Sequence, residues 1–108
     1  MSFDPMAAAV DWLDAYRAGG IERILAMYAE DAVVHCGCEG IKIITSKDSL
    51  RAYWVDRLWK RSASHLDNVQ LSKDGTVIAY VTREGVVSAL LTFNASGQIA
   101  SLTCGPLN

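Results

Sequence analysis

A chain of 108 residues that is 51% apolar has the length and composition of one folded domain, not of a disordered tail. Its formal net charge of −2, from 10 basic and 12 acidic residues, excludes attraction to nucleic acid or anionic lipid by bulk charge. No apolar run approaches the ~20 residues of a membrane span, and the start Met1-Ser2-Phe3-Asp4-Pro5 lacks the basic and apolar stretches of a signal peptide.

A cytoplasmic protein whose three cysteines are free thiols is therefore expected. The apolar content is slightly above the globular norm. A subunit interface or a lined cavity would account for the surplus.

The elements follow in chain order. Asp4 is placed to cap a helix and Pro5 suits its first position. Ala9, Trp12, Leu13 and Tyr16 fall at i, i+3, i+4 and i+7, one apolar stripe that ends at Gly19-Gly20. Ile21, Ile24, Leu25 and Tyr28 repeat the spacing and predict a short second helix. Residues 32–36 read as a Val-rich strand and residues 41–45 as a second, separated by a glycine-punctuated stretch. Ser46 caps a third helix with Asp48 in its first turn. Leu50, Tyr53, Trp54 and Leu58 form its buried stripe. Trp59 lies off that stripe, at a cavity mouth or a subunit edge. Lys47, Arg51, Arg57, Lys60 and Arg61, flanked by acids, read as a solvated face.

Residues 66–71, 76–82, 86–93 and 98–104 then read as an antiparallel meander. Its turns fall at Lys73-Asp74-Gly75, Arg83-Glu84-Gly85 and Asn94-Ala95-Ser96-Gly97, and Gly105-Pro106 closes it. Two of these strands are apolar on both faces. Val87, Ala89, Leu91 and Phe93 oppose Val86, Ser88, Leu90 and Thr92, and Val77, Ala79 and Val81 oppose Ile78 and Tyr80. A sheet with one wet face alternates more cleanly. A second copy covering the outer face explains the pattern, so a homodimer is expected.

The order helix, helix, strand, strand, helix, meander resembles the nuclear transport factor 2-like superfamily, which includes SnoaL-like polyketide cyclases and ketosteroid isomerases. Three segments carry the resemblance: residues 21–32 leading into a strand, residues 50–54 in the third helix, and residues 93–99 at the last turn. It implies an α+β cone, a curved and mostly antiparallel sheet wrapped around N-terminal helices. It also implies a cavity open at one end and dimerisation through the outer sheet face. The fold hosts many functions, so it does not name one.

Carried over position by position, the isomerase site fails. The tyrosine donor of the first helix is Trp12 here, the aspartate base at the end of the first strand is Cys36, and the protonated aspartate of the penultimate strand is Ala89. Enolate chemistry of that kind needs the groups that are missing. Steroid isomerase activity is excluded on that comparison.

The same resemblance places Cys36, Ala89, Leu102 and Cys104 on the cavity side, with Trp12, Tyr16 and Trp54 as aromatic lining. Cys36-x-Cys38 with Cys104 supplies three ligands where a zinc site needs four, so no metal and no cofactor is expected. His65 and Asp67 share one strand face with the apolar Val69 and Leu71 and form a candidate acid–base pair. With Cys36 they make the candidate catalytic set. The expected function is a small-molecule pocket protein, a cyclase-like or isomerase-like enzyme acting on an apolar, ring-sized substrate. The alternative is a non-catalytic ligand-binding or structural homodimer. No nucleic-acid or membrane partner is expected.

Overall fold

The computed structural model describes residues 4–36, 42–60, 63–73, 75–83 and 85–106. Helix α1 spans Pro5–Ala18 and is capped as its sequence dictates. The Asp4 carboxylate accepts from the backbone N–H of Met6 and Ala7 at 3.0 and 3.2 Å. Gly19 ends the helix at φ 72°, the left-handed conformation that a glycine adopts without a Cβ penalty. Ala9, Trp12, Leu13 and Tyr16 are buried, as the stripe requires.

Helix α2 is shorter than its stripe predicts. It covers Ile21–Ala26, and Tyr28 opens strand β1, Tyr28–Cys36. The competing interactions explain the switch. Ile99 donates its N–H to the Met27 carbonyl at 2.8 Å, Tyr28 pairs with Ile99 across the sheet, and the Tyr28 hydroxyl accepts from Trp12 Nε1 at 3.2 Å. A tyrosine at helical spacing is thus drawn into a strand by tertiary partners that no local pattern reveals.

Strand β2 is Lys42–Ile44 and helix α3 is Lys47–Lys60, whose Ser46 hydroxyl accepts from Ser49 N–H at 3.2 Å. Four strands follow: β3 Ala63–Leu71, β4 Thr76–Thr82, β5 Gly85–Phe93 and β6 Ile99–Pro106. Strand β6 runs through Gly105 and Pro106, which pair with Ser88 and Val87, so they do not close the strand as their sequence suggests.

One six-stranded sheet results, in the order β2-β1-β6-β5-β4-β3. All neighbours are antiparallel except β1 and β6, which run parallel. The sheet is curved and does not close. The chain is an α+β fold. Its core lies on one sheet face, where Val34, Ile78, Tyr80, Ala89, Leu91 and Leu102 are fully buried against α1 and α3. The opposite face carries Val77, Val81, Val86 and Leu90, all half-buried.

Candidate functional site

The interior is an aromatic cluster built from three elements. Trp12 and Tyr16, one turn apart on α1, meet Trp54 of α3 and Tyr80 of β4. Tyr16 and Trp54 ring centroids are 4.9 Å apart, and the Trp12–Tyr16, Trp12–Trp54, Trp12–Tyr80 and Tyr16–Tyr80 pairs lie at 5.5–5.8 Å. All are edge-to-face, the arrangement favoured by ring quadrupoles. Tyr53 extends the cluster from Trp54 at 5.6 Å and is itself half-buried, so the aromatic wall reaches the surface there.

A cation lies inside this wall. Arg57 is only 4% exposed. Its Nη2 donates to the Tyr80 hydroxyl at 3.1 Å, and its Cζ stands 5.7 Å from the ring centroids of both Tyr16 and Tyr53. Arginine keeps its charge in proteins, so this is a positive charge held in a mostly apolar interior, stabilised in part by two ring faces.

The basic segment of α3 is therefore not a uniformly solvated face. Arg57 is buried. Lys47 Nζ donates to the carbonyls of Leu25 and Tyr28, both at 3.1 Å, and ties α3 to the end of α2. Arg51 pairs with Glu22 at 2.6 Å, an exposed bridge. The side chain of Lys60 and all of Arg61 lie outside the description. A signal for Arg57 was available: it stands at i+7 from Leu50 and i+3 from Trp54, on the buried stripe itself.

Of the residues expected to line a pocket, Trp12, Tyr16 and Trp54 come together in the cluster. Ala89 and Leu102 are fully buried on the same sheet face. Cys36 and Cys104 are register partners on the adjacent strands β1 and β6, and Cys104 is also paired with Ala89. Cys38 lies outside the described residues.

His65 and Asp67 are placed elsewhere. Both are exposed. Strand β3 is bulged between Ala63 and His65 and again between Leu66 and Asn68. Each bulge inserts a residue and breaks the two-residue alternation. In consequence Val69 pairs with buried Ile78 and packs on the core, whereas His65 pairs with Val81 of the outer face. The expectation that His65 shares a face with Val69 is corrected by that bulge. His65 Nδ1 lies 3.3 Å from the Ser64 hydroxyl. Three strands separate β3 from β1, so His65 and Cys36 are not sheet neighbours.

Two further concave features lie among the described residues. A cavity of about 230 Å³ is lined by Asp11, Met27, Phe93 and Gln98 with small neighbours, and contains none of the expected site residues. A groove on the outer side of α3 holds Val55 and Trp59, the latter 87% exposed. No group of three metal-ligating side chains occurs among the described residues.

The architecture matches solved structures over nearly its full length. A SnoaL-like protein of unknown function from Burkholderia thailandensis superimposes with a TM-score of 0.80, at 16% identity, covering 93% of this chain and 92% of that one. SalBIII, an epoxide hydrolase/cyclase-like enzyme with a role in pyran ring formation in the polyether salinomycin, superimposes with a TM-score of 0.77, at 15% identity, covering 94% and 88%. The chain has the SnoaL-like, nuclear transport factor 2-like fold. At these identities the likeness is one of fold. No protein-family model and no curated protein sequence matches the chain. No helix among the described residues is long and apolar enough to cross a membrane.

Proposed function

We propose that this SnoaL-like domain binds an apolar, ring-sized small molecule on the concave side of its sheet, and that it is a cyclase-like or isomerase-like enzyme. The observation that carries the reading is Arg57, buried at 4% exposure and hydrogen-bonded to the Tyr80 hydroxyl inside the aromatic cluster. A core built only for packing is served better by apolar residues of similar volume, because desolvating a cation opposes folding. A cation and a phenol placed among aromatic rings have the composition of a small-molecule site, mostly apolar with a few convergent polar groups. The cyclase-like description of SalBIII is consistent with such a site.

In this reading Trp12, Tyr16, Trp54, Ala89 and Leu102 form the wall, while the roles of Cys36 and Cys104 stay expectations of the sequence, because their side chains lie outside the described residues. His65 and Asp67, exposed on β3, stand outside it. The half-buried outer face with Val77, Val81, Val86 and Leu90 is the proposed homodimer surface.

One observation favours a second reading. Trp12, Tyr16, Trp54 and Tyr80 pack against one another closely enough to serve as a filled core, which suits a structural dimer module. Native mass spectrometry of the purified protein separates the two. The expected result is a dimer carrying an organic adduct, or a bare dimer whose melting temperature rises with added ring compounds. A bare protein that no ring compound stabilises would leave the structural reading standing.

A further inference from the structure

Helix α3 carries a second stripe on the side turned away from the core. Leu50, Trp54 and Arg57 face inward and are buried. On the outer side Val55 and Trp59 are 55% and 87% exposed, and Trp59 is the most exposed large apolar side chain among the described residues. The two are not scattered. Asp48, Arg51, Ala52, Val55, Asp56 and Trp59 line one shallow groove.

The spacing of these six residues is that of a helix-pairing seam. Asp48, Ala52, Val55 and Trp59 recur at intervals of four, three and four, as the a and d positions of successive heptads do. Arg51 stands just before Ala52 and Asp56 just after Val55, so they occupy the g and e positions that flank the seam on opposite sides. Their charges decide the orientation of a partner helix. An antiparallel copy would set g against g and e against e, arginine facing arginine and aspartate facing aspartate. A parallel copy sets g of one helix against e of the other, five residues further on, which brings Arg51 to Asp56 twice. Both residues also have interactions within their own chain. The bridge from Arg51 to Glu22 runs through Nη2, and a guanidinium has more donors than that bridge uses. Asp56 is half-buried and already engaged, and a carboxylate accepts several hydrogen bonds.

We propose that the outer face of α3 is a self-association surface, on which α3 of a second copy of this chain packs in parallel. Ala52, Val55 and Trp59 form the seam, and Arg51 of each copy pairs with Asp56 of the other. The two Asp48 carboxylates repel at one end of the seam, so the contact centres on Val55 and Trp59. This surface is separate from the homodimer surface proposed above, because α3 packs on the other side of the sheet. It does not depend on the small-molecule reading.

Sedimentation velocity over a concentration series tests this. The seam is under about two heptads long and buries less than a standard interface, so the pairing is weak. The weight-average mass of the wild-type protein is expected to rise about twofold between roughly 10 μM and 1 mM. Arg51→Glu and Asp56→Arg each set like charges across the seam and are expected to hold the mass at its dilute value. The double variant Arg51→Glu/Asp56→Arg exchanges the charges and is expected to restore the rise, which a role of Arg51 confined to its own chain would not do. Glu22→Gln removes the exposed bridge alone and is expected to leave the rise intact. Trp59→Ser, at an exposed site, is expected to abolish the rise with Tm unchanged, and serves if a charge variant fails to fold. A constant wild-type mass would overturn the surface, and so would a rise that survives Trp59→Ser or both single charge variants. A rise that the double variant does not regain would overturn the parallel arrangement. Leu90→Lys on the outer sheet face is expected to lower the dilute mass and keep the rise, which separates this surface from the other.

Discussion

Trp54→Ala is expected to lower the folding free energy by about 3–5 kcal/mol, the range measured for deleting a buried Trp or Phe side chain. The residue is fully buried and packs against three aromatic rings at once. Its ring meets Trp12 and Tyr16 of α1 and Tyr53 of its own helix, each edge-to-face at 4.9–5.8 Å. Such pairs add about 0.5–1.5 kcal/mol each beyond the area they bury. A helix-to-helix tie is lost along with the side-chain volume. Urea unfolding followed by far-ultraviolet circular dichroism measures the change. Trp54→Phe provides the internal comparison. It keeps a ring in the cluster and removes a buried N–H that has no acceptor among the described residues, so it is expected to cost much less than alanine. A loss below about 1 kcal/mol for Trp54→Ala would mean that α1 and α3 do not share the core described.

Gly75→Ala is expected to destabilise by about 3 kcal/mol, at or above the upper end of the usual overpacking range. The reason is a close approach, not a dihedral angle. A Cβ built at Gly75 falls 1.9 Å from the Leu91 carbonyl oxygen and 2.9 Å from its carbon. Leu91 cannot retreat easily. It is fully buried on β5, paired with Thr76 on one side and Leu102 on the other. Gly75 is also held in place, because its N–H donates to the Ser72 hydroxyl at 3.1 Å and its carbonyl accepts from Ser72 N–H at 2.9 Å. The β3–β4 turn must therefore distort. Gly105→Ala is the control, since a Cβ there meets nothing within 4 Å. Thermal unfolding of both variants checks the pair, with a fall in Tm of roughly 4–8 °C per kcal/mol for a domain near this size.

Local chemistry made much of this fold legible in the sequence. The Asp4 cap, Pro5, the Trp12–Tyr16 stripe and Gly19 describe α1 from end to end, because every interaction involved lies within one or two turns. The two-sided apolar character of residues 77–81 and 86–93 is equally local, and it separates the core face from the half-buried outer face seen in the structure.

What escaped depended on distant partners or on a single inserted residue. Tyr28 has helical spacing, yet Ile99 and Trp12, far away in sequence, hold it in a strand. Strict alternation puts His65 on the face of Val69, and the bulge between Leu66 and Asn68 breaks that alternation. Composition groups Arg57 with its charged neighbours, although its position on the Leu50–Trp54 stripe points inward. The Tyr80 hydroxyl and the two tyrosine faces that accommodate the guanidinium come from α1, α3 and β4 together. No window of sequence contains that combination.

The central claim is that the inside of the cone is a small-molecule binding site, and the indole N–H of Trp54, within its proposed aromatic wall, reports on it directly. Three tryptophans give three indole signals in a ¹H–¹⁵N spectrum of labelled protein, and Trp54→Phe assigns the one that matters. On addition of an apolar ring compound such as 2-naphthoate the account predicts a displacement of the Trp54 Nε1 proton signal. The signal of Trp59, which is 87% exposed, should stay in place. A titration that moves Trp59 alone, or none of the three, would contradict the claim.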